Sequence, residues 1–309
     1  MSRRRCQRLL RLLPLLAALV VLGMVVPRPS VQPASISLRT VENVKAVDFD
    51  DGVLWVLVLG SDARPGQPVT EGRTDAIQLV GLNWLRGSAV SIGIPRDSWL
   101  PLALPEPRED RINVALSEGG TDAVAEAVAG LVGISPDLVL VTGFEGFEAM
   151  VTAVDGVRVE SPVAFPPNEH GLVVRRGPND LDPEQALAFA RLRRGLVGDD
   201  LARAANHQRL MLAVLDRLRA QEDDEGFMEA ATLAGLQGLE TDLDPLQLYR
   251  LAQAVTTIDP RRTTACIVGG TPFTTDAGAQ VLQPDVVQAR ALGDDAAGDA
   301  RLQGGCRAG

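Results

Sequence analysis

Lysine is almost missing from this chain: of 30 basic residues among 309, only Lys45 is a lysine and the rest are arginine. A Walker A loop and a Schiff-base lysine each need a lysine in a defined setting, and no second one is available to supply it. Histidine is as scarce. His170 and His207 are the only two, which rules out a histidine-rich metal site. The three cysteines include no Cys-x-x-Cys pair, so dithiol redox and zinc motifs are excluded too. Positive charge is also lacking beyond the first 30 residues, where 24 basic side chains face 40 acidic ones. Contact with nucleic-acid phosphates requires a basic surface, so nucleic acid is not a partner.

The apolar content, 46%, is too high for a disordered chain, and the length allows one large domain or two modest ones. Arg3, Arg4, Arg5, Arg8 and Arg11 precede an apolar run, Leu12–Val26, which Pro27-Arg28-Pro29 ends. Fifteen helical residues rise about 22 Å, less than the roughly 30 Å of a bilayer core. Adding Leu9 and Leu10, with Arg11 snorkelling, brings the segment close to spanning. It reads as an uncleaved membrane anchor or a signal peptide, and the lack of a small-x-small site directly after it favours the anchor. In either case the basic flank stays cytoplasmic and the body is exported. That leaves Cys266 and Cys306 as the two exported cysteines, able to pair in an oxidising compartment and staple the C-terminal tail to the core.

Residues 1–26 are thus flank and anchor, 27–50 a proline-bearing linker, 51–290 the exported domain, and 291–309 an acidic Gly/Ala-rich tail. Val53–Leu59, Ala76–Leu82, Ala89–Ile94 and Leu138–Thr142 are short apolar runs with the length of buried strands. Thr121 can cap a helix through Val132, Phe144–Val154 reads as helical, and Val157–Glu160 as a strand. Asp182-Pro183-Glu184-Gln185 carries the signals of a helix start: an acid at the cap, proline in the first turn and a reciprocal glutamine. Further helices are expected over 200–220, 226–239 and 245–255, and a strand near 263–268. Strands alternating with helices imply an α/β domain with helices on both faces of a sheet.

Four clusters stand at element ends. Asp62 follows a strand directly, at the carboxyl edge where open α/β sheets place ligands, and Arg73-Thr74-Asp75 precedes the next strand. Two carboxylates there can converge on a hard cation, with Arg73 beside them for an anion. From spacing alone, ordinary turn acids beside a solvent-facing arginine are the better reading. Arg96 ends the strand at Ile94, and Arg111 leads into a helix. Arg191, Arg193 and Arg194 gather where the Asp182 helix should stop, where cations also offset the helix dipole. In the next helix Arg203, Asn206 and His207 share a face, while Leu201, Ala205, Met211, Leu215 and Leu218 read as the opposite, sheet-facing side. Acids and arginine forks at element ends of an exported domain suit a pyrophosphate-bearing substrate.

The order of motifs resembles the LytR-CpsA-Psr family: Val-Leu-Gly-Ser-Asp-Ala-Arg (58–64), Gly-Arg-Thr-Asp-Ala (72–76), Ser-Ile-Gly-Ile-Pro-Arg-Asp (91–97), Arg-Ile-Asn-Val-Ala (111–115), Val-Asp-Gly-Val-Arg-Val (154–159), Leu-Asp-Pro-Glu-Gln-Ala-Leu-Ala-Phe-Ala-Arg-Leu-Arg (181–193) and Asp-Leu-Ala-Arg (200–203). The match covers about residues 53–220. The resemblance implies an α-β-α sandwich around a mixed sheet, anchored singly in a bacterial cell membrane with its catalytic domain outside the cytoplasm. It further implies a phosphotransferase that moves a glycan-1-phosphate from a polyprenyl-pyrophosphate carrier to peptidoglycan. Mg²⁺ is the implied cofactor, with Mn²⁺ an alternative, and the polyprenyl tail is expected in an apolar tunnel between sheet and helices.

By position, Asp62 and Asp75 match the family's metal-associated aspartates, and Arg73, Arg96, Arg191, Arg193 and Arg203 its pyrophosphate-binding arginines. Arg111 falls at a further basic position. Asp75, Arg73 and Arg96 are the catalytic candidates. One departure stands out. Many members follow the Arg203 position with Arg-Gln after two residues, whereas this chain has Asn206 and His207. Asn206 removes a cation, and either His207 takes over the substrate contact, partly protonated beside phosphate, or the site is weakened. Two other readings stay open: a polyprenyl-pyrophosphate hydrolase on the same site, and a non-catalytic envelope module that binds lipid-linked glycan.

Overall fold

The computed structural model describes residues 36–41, 52–165, 172–192, 199–221, 239–304 and 306, all within the unit Pro33–Gly309. The expected anchor, Arg193 and most of the helix expected over 226–239 lie outside these residues. In chain order the strands are β1 (Ile36–Thr40), β2 (Leu54–Ser61), β3 (Thr74–Asn83), β4 (Ser88–Gly93), β5 (Trp99–Leu102), β6 (Arg108–Arg111), β7 (Leu138–Thr142), β8 (Val157–Ser161), β9 (Gly177–Leu181), β10 (Leu239–Thr241), β11 (Thr263–Ile267), β12 (Gly270–Thr274) and β13 (Gln280–Pro284). The helices are α1 (Ala115–Val132), α2 (Phe144–Ala153), α3 (Pro183–Ala190), α4 (Asp199–Ala220), α5 (Pro245–Thr257) and α6 (Val286–Ala296).

Seven strands form one sheet in the order β10-β1-β7-β2-β3-β4-β11. β2 pairs parallel with β7 and antiparallel with β3, and β4 pairs antiparallel with β3 and parallel with β11, so the sheet is mixed. Alternation along β2 and β3 sorts the side chains. Trp55, Leu57, Leu59, Ile77 and Leu79 join α1 and α6 in the main core. Leu54, Val56, Val80 and Leu82 face the other way, toward Met211 and Leu215 of α4 and Leu251 and Val255 of α5. Helices thus cover both faces, as the alternation of elements predicts. A third cluster, built on Phe189, Val157, Val159 and Leu210, packs α2, α3 and the β8–β9 hairpin against α4.

Several boundaries differ from the sequence reading. Ile36–Thr40, inside the expected linker, is a strand held between β10 and β7. Its partners are about a hundred or more residues away, so nothing local announces it. α1 starts at Ala115 rather than Thr121, but Gly120 breaks it with φ 75°, and a regular second segment begins at Thr121. The expected tail is structured: α6 spans 291, and Leu292, Ala296, Ala300 and Leu302 are buried in the main core. Cys266 and Cys306 are joined by a disulfide with a Cα–Cα separation of 5.3 Å. Leu239 opens a strand rather than ending a helix.

Candidate active site

β2 and β3 leave the sheet at the same edge, in register at Ser61↔Thr74 with an irregularity at Gly60/Ser61. The loop between them is closed by two bonds. The Asp62 N–H donates to the Arg73 carbonyl at 2.9 Å, and the Arg73 N–H donates to Asp62 Oδ1 at 2.7 Å. Asp62 and Arg73 are exposed, whereas Asp75, two residues further along β3, is partly buried. Arg96, just past β4, forms an ion pair with Asp75 and lies 3.8 Å from Asp97. Its carbonyl accepts the Asn113 N–H at 3.1 Å, which ties the Arg111 segment to the same edge. The buried Arg111 Nε has no hydrogen-bond partner.

A cavity of about 1010 Å³ lies between this face of the sheet and helices α2 to α5. Asp75, Arg191, Arg203 and His207 line it at the edge where β2 and β3 end, and Val56, Val80, Leu140, Leu215, Leu251 and Val255 line its interior. Arg191 caps α3 and lies 5.0 Å above the Phe144 ring, an arrangement in which the ring face attracts the cation. Arg203 is buried at 4% exposure, so its charge is turned inward.

α4 corrects one expectation. Met211, Leu215 and Leu218 line the same cavity as Arg203 and His207, not an opposite face. Positions 203, 207, 211, 215 and 218 climb by steps of four and three, which stacks them in one stripe. The stripe is polar in its first turns and apolar in its last, so the helix grades along its axis instead of dividing around it. Leu201 and Ala205, off this stripe, are partly exposed.

Asn206 is buried; its Nδ2 donates to the Phe189 carbonyl at 3.5 Å and its Oδ1 accepts from Arg209 at 2.9 Å. It joins α4 to α3 and does not line the cavity. His207 Nε2 lies 3.1 Å from the Ala190 carbonyl, which can only accept, so Nε2 carries the proton. Burial pushes the imidazole down to about 4, with Arg203 adding to the push and the Ala190 carbonyl and Asp75 opposing it. His207 is therefore neutral at pH 7, not partly protonated.

The structure thus brings Asp75, Arg96, Arg191, Arg203 and His207 together. Asp62, Arg73 and Arg111 stand at the same sheet edge but do not line the cavity. Sequence reasoning missed Gln78, Ser91 and Gln208, whose buried side chains bond to one another in and behind the cavity floor. A glutamine inside the apolar run of β3 was the available signal.

A sequence profile described as the LytR_cpsA_psr family matches residues 32–291. The chain is 28% identical over 213 residues to TagT of Bacillus subtilis (strain 168), a polyisoprenyl-teichoic acid–peptidoglycan teichoic acid transferase; the alignment covers 66% of this chain and 65% of TagT. The chain therefore spans just under two thirds of that relative's length. The crystal structure of B. subtilis TagV has a TM-score of 0.67 at 22% identity, covering 80% of this chain and 98% of that one. The structure of YwtF (TagT) with bound octaprenyl pyrophosphate lipid has a TM-score of 0.61 at 21% identity, covering 84% and 95%. These likenesses establish the shared mixed α/β fold, and with the profile matching most of the sequence, the chain belongs to the LytR_cpsA_psr family.

Proposed function

We propose that this protein transfers a glycan-1-phosphate from a polyprenyl-diphosphate carrier to peptidoglycan, outside the cytoplasm and anchored by its N-terminal segment. The observation that carries this reading is the graded cavity: an apolar interior sized for isoprenoid chain, ended by Asp75, Arg191, Arg203 and His207. Few ligands other than an amphiphile with an anionic head match both parts. The transferase name of TagT and the lipid bound in YwtF support the same class.

In this reading Arg191 and Arg203 neutralise the diphosphate, with Arg73, Arg96 and Arg111 at or near the same edge. An acceptor hydroxyl oxygen attacks the glycan-bearing phosphorus and the bond to the bridging oxygen breaks. The electron pair leaves with polyprenyl monophosphate, and the hydroxyl proton passes to a carboxylate, of which Asp75 is the one facing the cavity. Neutral His207, with Nε2–H fixed on Ala190, offers only the Nδ1 lone pair, so it accepts a hydrogen bond and adds no charge. Among the described residues no three His, Cys, Asp or Glu side chains converge as a metal cage. The site nevertheless fits Mg²⁺, which commonly takes one or two carboxylates and completes its shell with phosphate oxygens and water. Asp62 and Asp75, at the ends of paired strands, would hold it, mainly through Asp62 so that Asp75 stays able to take the proton, and it would offset charge on the diphosphate; Mn²⁺ would serve in its place.

The test is turnover of the detergent-solubilised protein with polyprenyl-diphosphate glycan, Mg²⁺ and peptidoglycan fragments. Glycan phosphate on the wall fragment is expected, and lost when EDTA removes the cation. Free sugar phosphate without that product would establish a hydrolase instead, and binding without turnover a non-catalytic module.

A further inference from the structure

Gln78 is 3% exposed, lines the cavity, and has a side-chain nitrogen with no hydrogen-bond partner. Which amide atom is the nitrogen follows from the network around it. Gln208 Nε2 lies 2.7 Å from the Cys266 carbonyl, and a carbonyl can only accept, so that atom of Gln208 must be the donor. The same nitrogen is 3.2 Å from Gln78 Oε1, which also accepts from Ser91 Oγ at 3.0 Å. A nitrogen that can only donate fixes that atom as oxygen, and the Ser91 hydroxyl then donates to it as well. Gln78 Nε2 is therefore left with two N–H donors and nothing among the described residues to receive them. A buried donor in that state costs free energy until an acceptor arrives.

The place of Gln78 identifies the acceptor. Along β3 it follows Asp75 and precedes Val80, so the headgroup residues lie on one side and the apolar interior on the other. Across the sheet it pairs with Val58 and Gly93. A Cβ on Gly93 would stand 3.1 Å from the amides of both Gln78 and Gln208, so the glycine makes room for their meeting. The only point of a polyprenyl diphosphate that passes from anion to hydrocarbon is the phosphate joined to the lipid.

We propose that Gln78 donates a hydrogen bond to this lipid-side phosphate and so recognises the junction between headgroup and tail. The inference rests on the proposed carrier, and it adds a positioning residue on the side of the leaving group. Ser91 and Gln208 act through Gln78 by holding its oxygen.

The test uses the full chain in detergent, with a long-chain polyprenyl monophosphate and the matching polyprenol as probes, and the variants Gln78→Met and Gln78→Glu. Met keeps the length and loses the donors, so affinity for the monophosphate should fall about tenfold while polyprenol affinity stays as in wild type. Glu puts a carboxylate against the phosphate and should weaken the monophosphate further, again sparing polyprenol. Equal changes for the two probes, or none for either, would overturn the assignment, as would a wild type that prefers neither probe. A wild type that prefers the monophosphate and loses that preference in Gln78→Met, yet transfers nothing to peptidoglycan, would leave this inference standing and remove the proposed reaction.

Discussion

Asp75 and Arg96 are the residues whose loss should separate chemistry from folding. Their ion pair lies at the cavity edge with side chains 20% and 25% exposed, so water can reach a partner left behind and the stability cost stays small beside the catalytic one. In the proposed reaction they face developing phosphate charge, where removal of one group costs on the order of a hundredfold or more. Asp75→Ala or Arg96→Ala should therefore abolish most transfer while the urea midpoint stays near that of the wild type; unchanged transfer would refute the site. His207 behaves differently. Its imidazole is lowered to about 4 in the folded protein from an ordinary value of 6.5, so the unfolded chain binds a proton first as pH falls. Stability is full above about pH 6.5 and is lost as pH falls toward 4, by up to about 3 kcal/mol from this group. His207→Gln should flatten that part of the pH–stability curve, as urea unfolding at several pH values would show. The arginines were legible because motif order marks them one by one. The neutrality of His207 was not, since it follows from burial by packing and from the nearby Arg203.

At the scale of elements, legibility followed the range of the forces involved. α3 could be read in full because its start is local: Asp182 accepts from the Gln185 N–H and the Gln185 side chain accepts from the Asp182 N–H. Asp182→Ala should cost about 1 kcal/mol, measured as a drop in the unfolding midpoint. The apolar central strands were legible for a similar reason, since continuous burial leaves a continuous apolar run. β1, β9 and the hairpins β5–β6 and β12–β13 were not. Their sequences are short and partly polar, and pairing partners rather than composition make them strands. α4 shows the intermediate case: its period was readable, but the side it turns to the cavity was settled by packing in two clusters, one with α2, α3 and the β8–β9 hairpin and one with the sheet and α5.

At the scale of the whole unit Pro33–Gly309, the core is completed by residues 292–302 and by Cys306. The family match ends at 291, inside α6, yet Leu292, Ala296, Ala300 and Leu302 beyond it are core residues and Cys306 is tied to Cys266. Cys306→Ser should lower stability by about 2–4 kcal/mol, and reduction of the wild type should reproduce the loss. Denaturant unfolding with and without reductant measures both. Equal midpoints would show that α6 packing alone holds the tail. The two-sided sheet has a last consequence, for substitutions made anywhere along β2 and β3. Odd-numbered positions from 55 to 59 and at 77 and 79 face the α1–α6 core, and even-numbered ones from 56 to 82 include the cavity floor. The even positions Leu54, Val56, Val80 and Leu82 are themselves buried, and Asp75 lines the cavity against the alternation. A residue-by-residue scan should therefore find positions 57, 59, 77 and 79 that move stability alone, beside positions 56, 58, 78 and 80 where stability and, in the proposed function, ligand preference move together.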